Sequence, residues 1–201
     1  MTNIVLPIDI EPGAPLLDRI RTMTDDEFYF FCRRNADMNF ERDATGSIHI
    51  TGPTGGEAGE RNSALTAGLG IWNRQTKLGY VYDSSTGFRL PNGATRSPDA
   101  AWVLADRRNA LTPEQRKKFP PLCPDFVVEL MSESDALKDA LEKMQEYVDN
   151  GCRLAWLINL KTEEIRIYRP DGSVRVLTGF DNTLTGEDVL PGFAFALSVL
   201  R

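Results

Sequence analysis

The sequence predicts a mixed β-sheet flanked by helices, in the α/β (α+β) class. Three observations carry that expectation. Asp125–Met131 is a short apolar run bounded by Pro124 and Ser132, with the length and the valines of a buried strand. Residues 135–150 follow with Leu137, Leu141, Met144 and Val148 at helical spacing, and Arg153–Asn159 then alternates Leu154, Trp156 and Ile158. A strand, a helix and a second strand form the crossover that makes two parallel neighbours, while the remaining short runs, joined by turns, read as antiparallel.

The elements follow in order. Residues 1–23 are Pro-rich and weakly periodic and read as a surface arm, leaving 24–201 as one domain of ordinary size. Thr24 with Glu27 three residues on forms a capping box that opens a helix through Phe28, Phe31 and Cys32. Asn39–Glu41 and Ser47–Ile50 flank Asp43-Ala44-Thr45-Gly46, a hairpin signal. Gly52-Pro53-Thr54-Gly55-Gly56 leads into a helix marked by Leu65, Leu69 and Trp72, running to about Lys77. Tyr80–Asp83, Thr86–Leu90 and Thr95–Leu104 then read as an antiparallel meander. Thr112-Pro113-Glu114-Gln115 caps a short helix with proline at its first position. The crossover ends its helix at Gly151, and Glu164–Arg169 with Ser173–Leu177 form a hairpin around Pro170-Asp171-Gly172.

Composition excludes several functions. A 41% hydrophobic, 26% charged chain is globular, and its net charge of −6 leaves any contact with nucleic acid to a local patch. No apolar run reaches the ~18 residues of a membrane helix, and the first twenty residues lack a basic leader, so a cytoplasmic protein is expected. Cys32, Cys123 and Cys152 are widely spaced and read as reduced, mostly buried side chains. His49 is the single histidine and lies in an alternating strand, which argues against a zinc centre and against a serine–histidine or cysteine–histidine mechanism. The Gly-rich segment before Glu57 lacks the Gly-Lys-Ser/Thr ending of a phosphate loop. Chemistry here falls to carboxylates and lysines.

Glu129 is an acid inside the apolar strand Phe126–Met131, where an ionised carboxylate is costly unless paired or bound to a cation. Asp99, after Ser97-Pro98, stands where the apolar stretch Ala100–Leu104 begins. Lys143 lies on the border of the apolar stripe of the crossover helix, where the alternative is packing beside the stripe with Asp139 as partner. Taken singly, Glu129 reads as a structural ion pair and Asp99 as a turn residue. Together the three supply two carboxylates for a hard cation such as Mg²⁺ or Mn²⁺ and one ammonium beside it, which suits phosphodiester hydrolysis.

Residues 24–201 resemble the Uma2 family, a branch of the PD-(D/E)XK nuclease superfamily. The resemblance rests on Ser97-Pro98-Asp99-Ala100, on Cys123-Pro124-Asp125-Phe126-Val127-Val128-Glu129-Leu130, and on Glu142-Lys143-Met144 with Glu146-Tyr147. Asn150-Gly151, Ile167-Tyr168-Arg169-Pro170 and Gly186-Glu187-Asp188-Val189-Leu190-Pro191-Gly192-Phe193 follow in the same order. It implies a restriction endonuclease-like core with an N-terminal antiparallel extension, DNA as substrate, and metal held by Asp99 and Glu129. By analogy it also implies a homodimer. The superfamily lysine stands two residues after the glutamate; here that residue is Met131, and Lys143 inherits the role, with Lys138 and Lys161 as competitors. Glu57 and Glu60 are candidates for an additional acid from the first core helix.

Two other classes compete. The same fold kept as a non-catalytic DNA-binding or protein-interaction module accords with Met131 and with the acidic charge. A paired-carboxylate glycosidase is the third, and it would have no use for Lys143.

Overall fold

The computed structural model describes residues 22–132 and 135–201, so all but the last two residues of the expected N-terminal arm lie outside the described residues. Helix α1 (Asp25–Arg34) is opened by the Thr24–Glu27 capping box, and the hairpin β1 (Asn39–Arg42) and β2 (Ile48–Thr51) follows. Helix α2 (Gly56–Thr76) leads to β3 (Gly79–Asp83), β4 (Phe88–Arg89), β5 (Thr95–Arg96) and β6 (Ala100–Leu104). Two short helices, α3 (Ala105–Asn109) and α4 (Pro113–Lys117), precede β7 (Phe126–Met131), α5 (Leu137–Asp149) and β8 (Leu154–Asn159). The chain finishes with β9 (Glu164–Tyr168), β10 (Val174–Thr178), β11 (Thr183–Thr185), β12 (Ala194–Ala196) and a single 3-10 turn, Leu197–Leu200.

The main sheet has six strands in the order β10-β9-β8-β7-β6-β3. Only β7 and β8 run parallel, joined by the α5 crossover, as the spacing predicts. Helix α2 covers one face, packing Leu65, Leu69 and Trp72 on Ala100, Trp102, Val128 and Trp156, and β11 and β12 close that side with Phe193 and Phe195. Helix α5 covers the other face with Met144 and Tyr147 against Val127, Met131 and Ala155. Burial on both faces explains why β7 reads as a near-continuous apolar run, with Glu129 its one charge, rather than an alternating one.

The expected meander of Tyr80–Asp83, Thr86–Leu90 and Thr95–Leu104 is corrected. Strand β3 pairs directly with β6, whereas β4 and β5 leave for a second antiparallel sheet of order β2-β1-β5-β4. The stretch 95–104 is two strands, broken at Ser97-Pro98-Asp99, because proline has no N–H to continue a ladder. The chain therefore changes sheets at these three residues.

Asp125, just before β7, has a structural duty. Its side chain is 1% exposed, accepts the Leu104 N–H at 2.8 Å and meets Arg107 at 2.9 Å. Asp125→Ala is expected to lower stability by roughly 2 kcal/mol, since it leaves the Leu104 N–H without its partner; urea denaturation measures it, and a loss under ~1 kcal/mol would refute the assignment.

Candidate active site

Where the chain changes sheets, the two acids from the sequence analysis meet. Strands β6 and β7 are antiparallel with Ala100 opposite Val128, so the next step of the register brings Asp99 beside Glu129. The Leu130 N–H donates to Asp99 Oδ2 at 2.7 Å and Asn62 of α2 donates to Oδ1 at 3.0 Å. Glu129 shares its strand face with Val127 and Met131, the face covered by α5.

On α5, residues 143, 146 and 147 lie at i, i+3 and i+4 and face the site together. The Tyr147 hydroxyl donates to Glu129 Oε1 at 2.8 Å. Lys143 Nζ lies 2.9 Å from the same oxygen. Its ammonium does not turn back to Asp139: its second partner is Glu41 Oε1, also at 2.9 Å. Glu41 comes from β1 in the other sheet. With Arg42 opposite Thr95, Glu41 falls opposite Arg96, whose Nη1 is 3.3 Å from Oε2, while the Ser97 N–H donates to Oε1 at 2.7 Å. Arg96 is held in turn by Glu146. The side chains of Lys143, Glu41 and Glu129 are 21%, 15% and 13% exposed, so these charges act through little water.

The same geometry sets the titration of each group. Burial pushes Glu129 up to about 7, the negative charges of Asp99 and Glu41 add to that, and Lys143 opposes it. Burial likewise raises Asp99, against the Leu130 N–H and Lys143. Burial acts to raise Glu41 as well, but Lys143, the Ser97 N–H and Arg96 together carry it below the usual carboxylate range. Lys143 is raised although burial works against its charge, because Glu129 and Glu41 both favour the ammonium.

Asp99, Glu129 and Lys143 are thus brought together. Glu57 and Glu60 are not: Glu57 is exposed and pairs with Arg61, and Glu60 is exposed. Lys138 pairs with Glu142 on the surface, and Lys161 is exposed. His49 is exposed on β2. Several basic side chains outside the site are spent on structure: Arg107 pairs with Asp125, Arg108 lies over the Tyr80 ring, and Lys118 pairs with Asp26. Sequence reasoning missed Glu41, Arg96 and Tyr147. For Tyr147 the signals were its place in the Glu142–Tyr147 motif and its i, i+4 spacing from Lys143; Glu41 and Arg96 carried none.

Among the described residues no group of three or more His, Cys, Asp or Glu side chains is arranged to hold a metal ion. The donor set nevertheless fits a hard cation that keeps most of its water and takes one or two carboxylates. Glu129 Oε1 accepts both bonds described for that carboxylate, leaving Oε2 for a ligand. With Glu129 ionised, Glu41, Asp99, Glu129 and Glu146 oppose Lys143 and Arg96, a surplus of two negative charges equal to one divalent ion. A cleft of about 500 Å³ is lined by Asn62, Ser63, Thr66 and Arg74 of α2 and by Asp83 and Ser84.

A family model described as "Uma2: Putative restriction endonuclease" matches residues 25–199. A crystal structure of "a putative nuclease belonging to DUF820" from Anabaena variabilis is similar at a TM-score of 0.71 and 14% sequence identity, over 89% of this chain and 97% of that one. At that identity the likeness speaks for a shared fold, a mixed sheet with flanking helices. No curated protein matches.

Proposed function

This chain belongs to the Uma2 family, and on that premise we propose that it is an endonuclease that hydrolyses DNA phosphodiester bonds with the help of Mg²⁺ or Mn²⁺. The observation that carries the reading is the approach of the Lys143 ammonium to Glu129, 2.9 Å away, on a strand register that brings Asp99 alongside. Three groups far apart in sequence converge, and among the described residues their side-chain partners include no histidine, cysteine or serine.

In this reading Asp99 and Glu129 would hold the ion, which supplies neutralisation of phosphate charge and acidification of water. Each residue of the chain then has its own task. The Leu130 N–H and Asn62 fix the Asp99 carboxylate, and the Tyr147 hydroxyl fixes Glu129. The Lys143 ammonium orients the attacking water by hydrogen bonding and steadies negative charge as it grows on the phosphate oxygens. Low solvent exposure around the three charges strengthens each of these contacts. The α2 cleft, which shares Asn62 with the Asp99 carboxylate, is the path we assign to the substrate strand, with Ser63 and Thr66 as hydrogen-bond donors and Arg74 as a cation for phosphate. A homodimer in the cytoplasm, with one site for each strand of a duplex, completes the proposal.

Supercoiled plasmid incubated with the protein should be nicked or linearised with Mg²⁺ or Mn²⁺ and left intact in excess chelator. Asp99→Ala should remove that activity. Cleavage that persists in chelator, or that survives both Asp99→Ala and Glu129→Ala, would exclude the assignment.

A further inference from the structure

Glu41 meets the Lys143 ammonium directly, yet the chemistry above gives it no task. It stands on β1, in a different sheet from Glu129, and two other groups already fix it: the Ser97 N–H at 2.7 Å and Arg96 at 3.3 Å. Arg96 is itself tied to Glu146 of α5, so Glu41 has a rigid seat. Lys143 divides its ammonium between Glu41 and Glu129 at equal distances of 2.9 Å.

A divalent cation would affect those two carboxylates differently. Beside Asp99, Glu129 is the one it would recruit, and its positive charge would both consume the negative charge that attracts Lys143 and repel the ammonium directly. A lysine is a point charge on a flexible four-carbon stem, free to swing away once its partner is neutralised. Glu146 offers it no alternative, being committed to Arg96 and to Asn92. Glu41 remains.

We propose that Glu41 is the positioning residue for Lys143, the anchor that keeps the ammonium in the site while a divalent cation occupies Asp99 and Glu129. The inference rests on the cation reading of those two acids and gives a role to Glu41, which that reading does not use. Glu41 acts through Lys143 and touches neither substrate nor cation.

The test follows the Lys143 ammonium by ¹⁵N NMR during titration with Mg²⁺, the signal being assigned by its absence from Lys143→Arg. In the wild type the resonance should survive saturation. In Glu41→Gln, which keeps an oxygen for the Ser97 N–H, it should vanish as Mg²⁺ binds. The kcat for plasmid nicking should fall about tenfold to a hundredfold, the cost of a misplaced group, while KM for DNA and Kd for Mn²⁺ stay within about threefold. Loss of the wild-type resonance on saturation overturns the proposal, as does its persistence in Glu41→Gln; the wild-type arm decides alone if the variant does not fold. A Leu130 amide that never shifts with Mg²⁺ overturns the cation reading itself, and the anchoring role with it, which separates that failure from the other two.

Discussion

Glu129→Gln is expected to reduce DNA cleavage by on the order of 10³ and to remove the stabilisation of the fold by Mn²⁺. For the wild type, Mn²⁺ at a hundred times its Kd should add about 2.7 kcal/mol, because a ligand that binds only the folded state shifts the unfolding equilibrium; for the variant it should add nothing. The metal-free proteins should behave in the opposite way. Burial raises Glu129 to about 7 in the fold from 4.5, so the folded state holds this proton more tightly than the unfolded chain does. The stability Glu129 contributes is therefore complete below about pH 4.5 and is lost as pH rises through about 7. A neutral glutamine avoids that loss. At pH 8 metal-free Glu129→Gln should melt at or above the wild-type temperature. A variant that is both inactive and strongly destabilised at pH 8 would mark Glu129 as a structural residue instead.

Lys143→Met is expected to lower kcat by about 10²–10⁴, the range for a positioned proton-transfer or charge-stabilising group, with Kd for Mn²⁺ unchanged or tighter. Tighter binding would follow because the ammonium already occupies Glu129 Oε1 and would compete there with the proposed cation. The stability of this variant should also depend on pH. Removing the shared cation raises both Glu41 and Glu129, and carboxylates raised in the fold lose their contribution as pH increases. The destabilisation relative to wild type, read from urea melts, should be larger at pH 8 than at pH 5. Full cleavage activity in Lys143→Met would return Met131 to prominence and favour a site without a lysine.

The crossover was legible because its signals are local. The apolar run ending at Met131, the 3.6-residue spacing of Leu137, Leu141, Met144 and Val148, and Gly151 at φ +98° each specify their own element. The meander was misread because pairing is not local. Nothing in Thr86–Leu90 or Thr95–Arg96 says which sheet they join; β4 and β5 go to the second sheet because β1 offers them an edge and Pro98 ends the ladder.

By its own residue types and spacings, the sequence determined the strand–helix–strand core and pointed to Asp99, Glu129 and Lys143, three of the acidic and basic groups that meet. The tertiary structure decided which of two aspartates following a proline does what: β6–β7 register carries Asp99 to Glu129, while Asp125 is buried against Leu104 and Arg107. It also decided that Glu41, 58 positions before Asp99 and in another sheet, holds Lys143. The physical reason is range. Helix period and turn chemistry act over a few residues, whereas a charge finds its partner through whatever the packed chain brings within a few ångströms in a medium too dry to screen it.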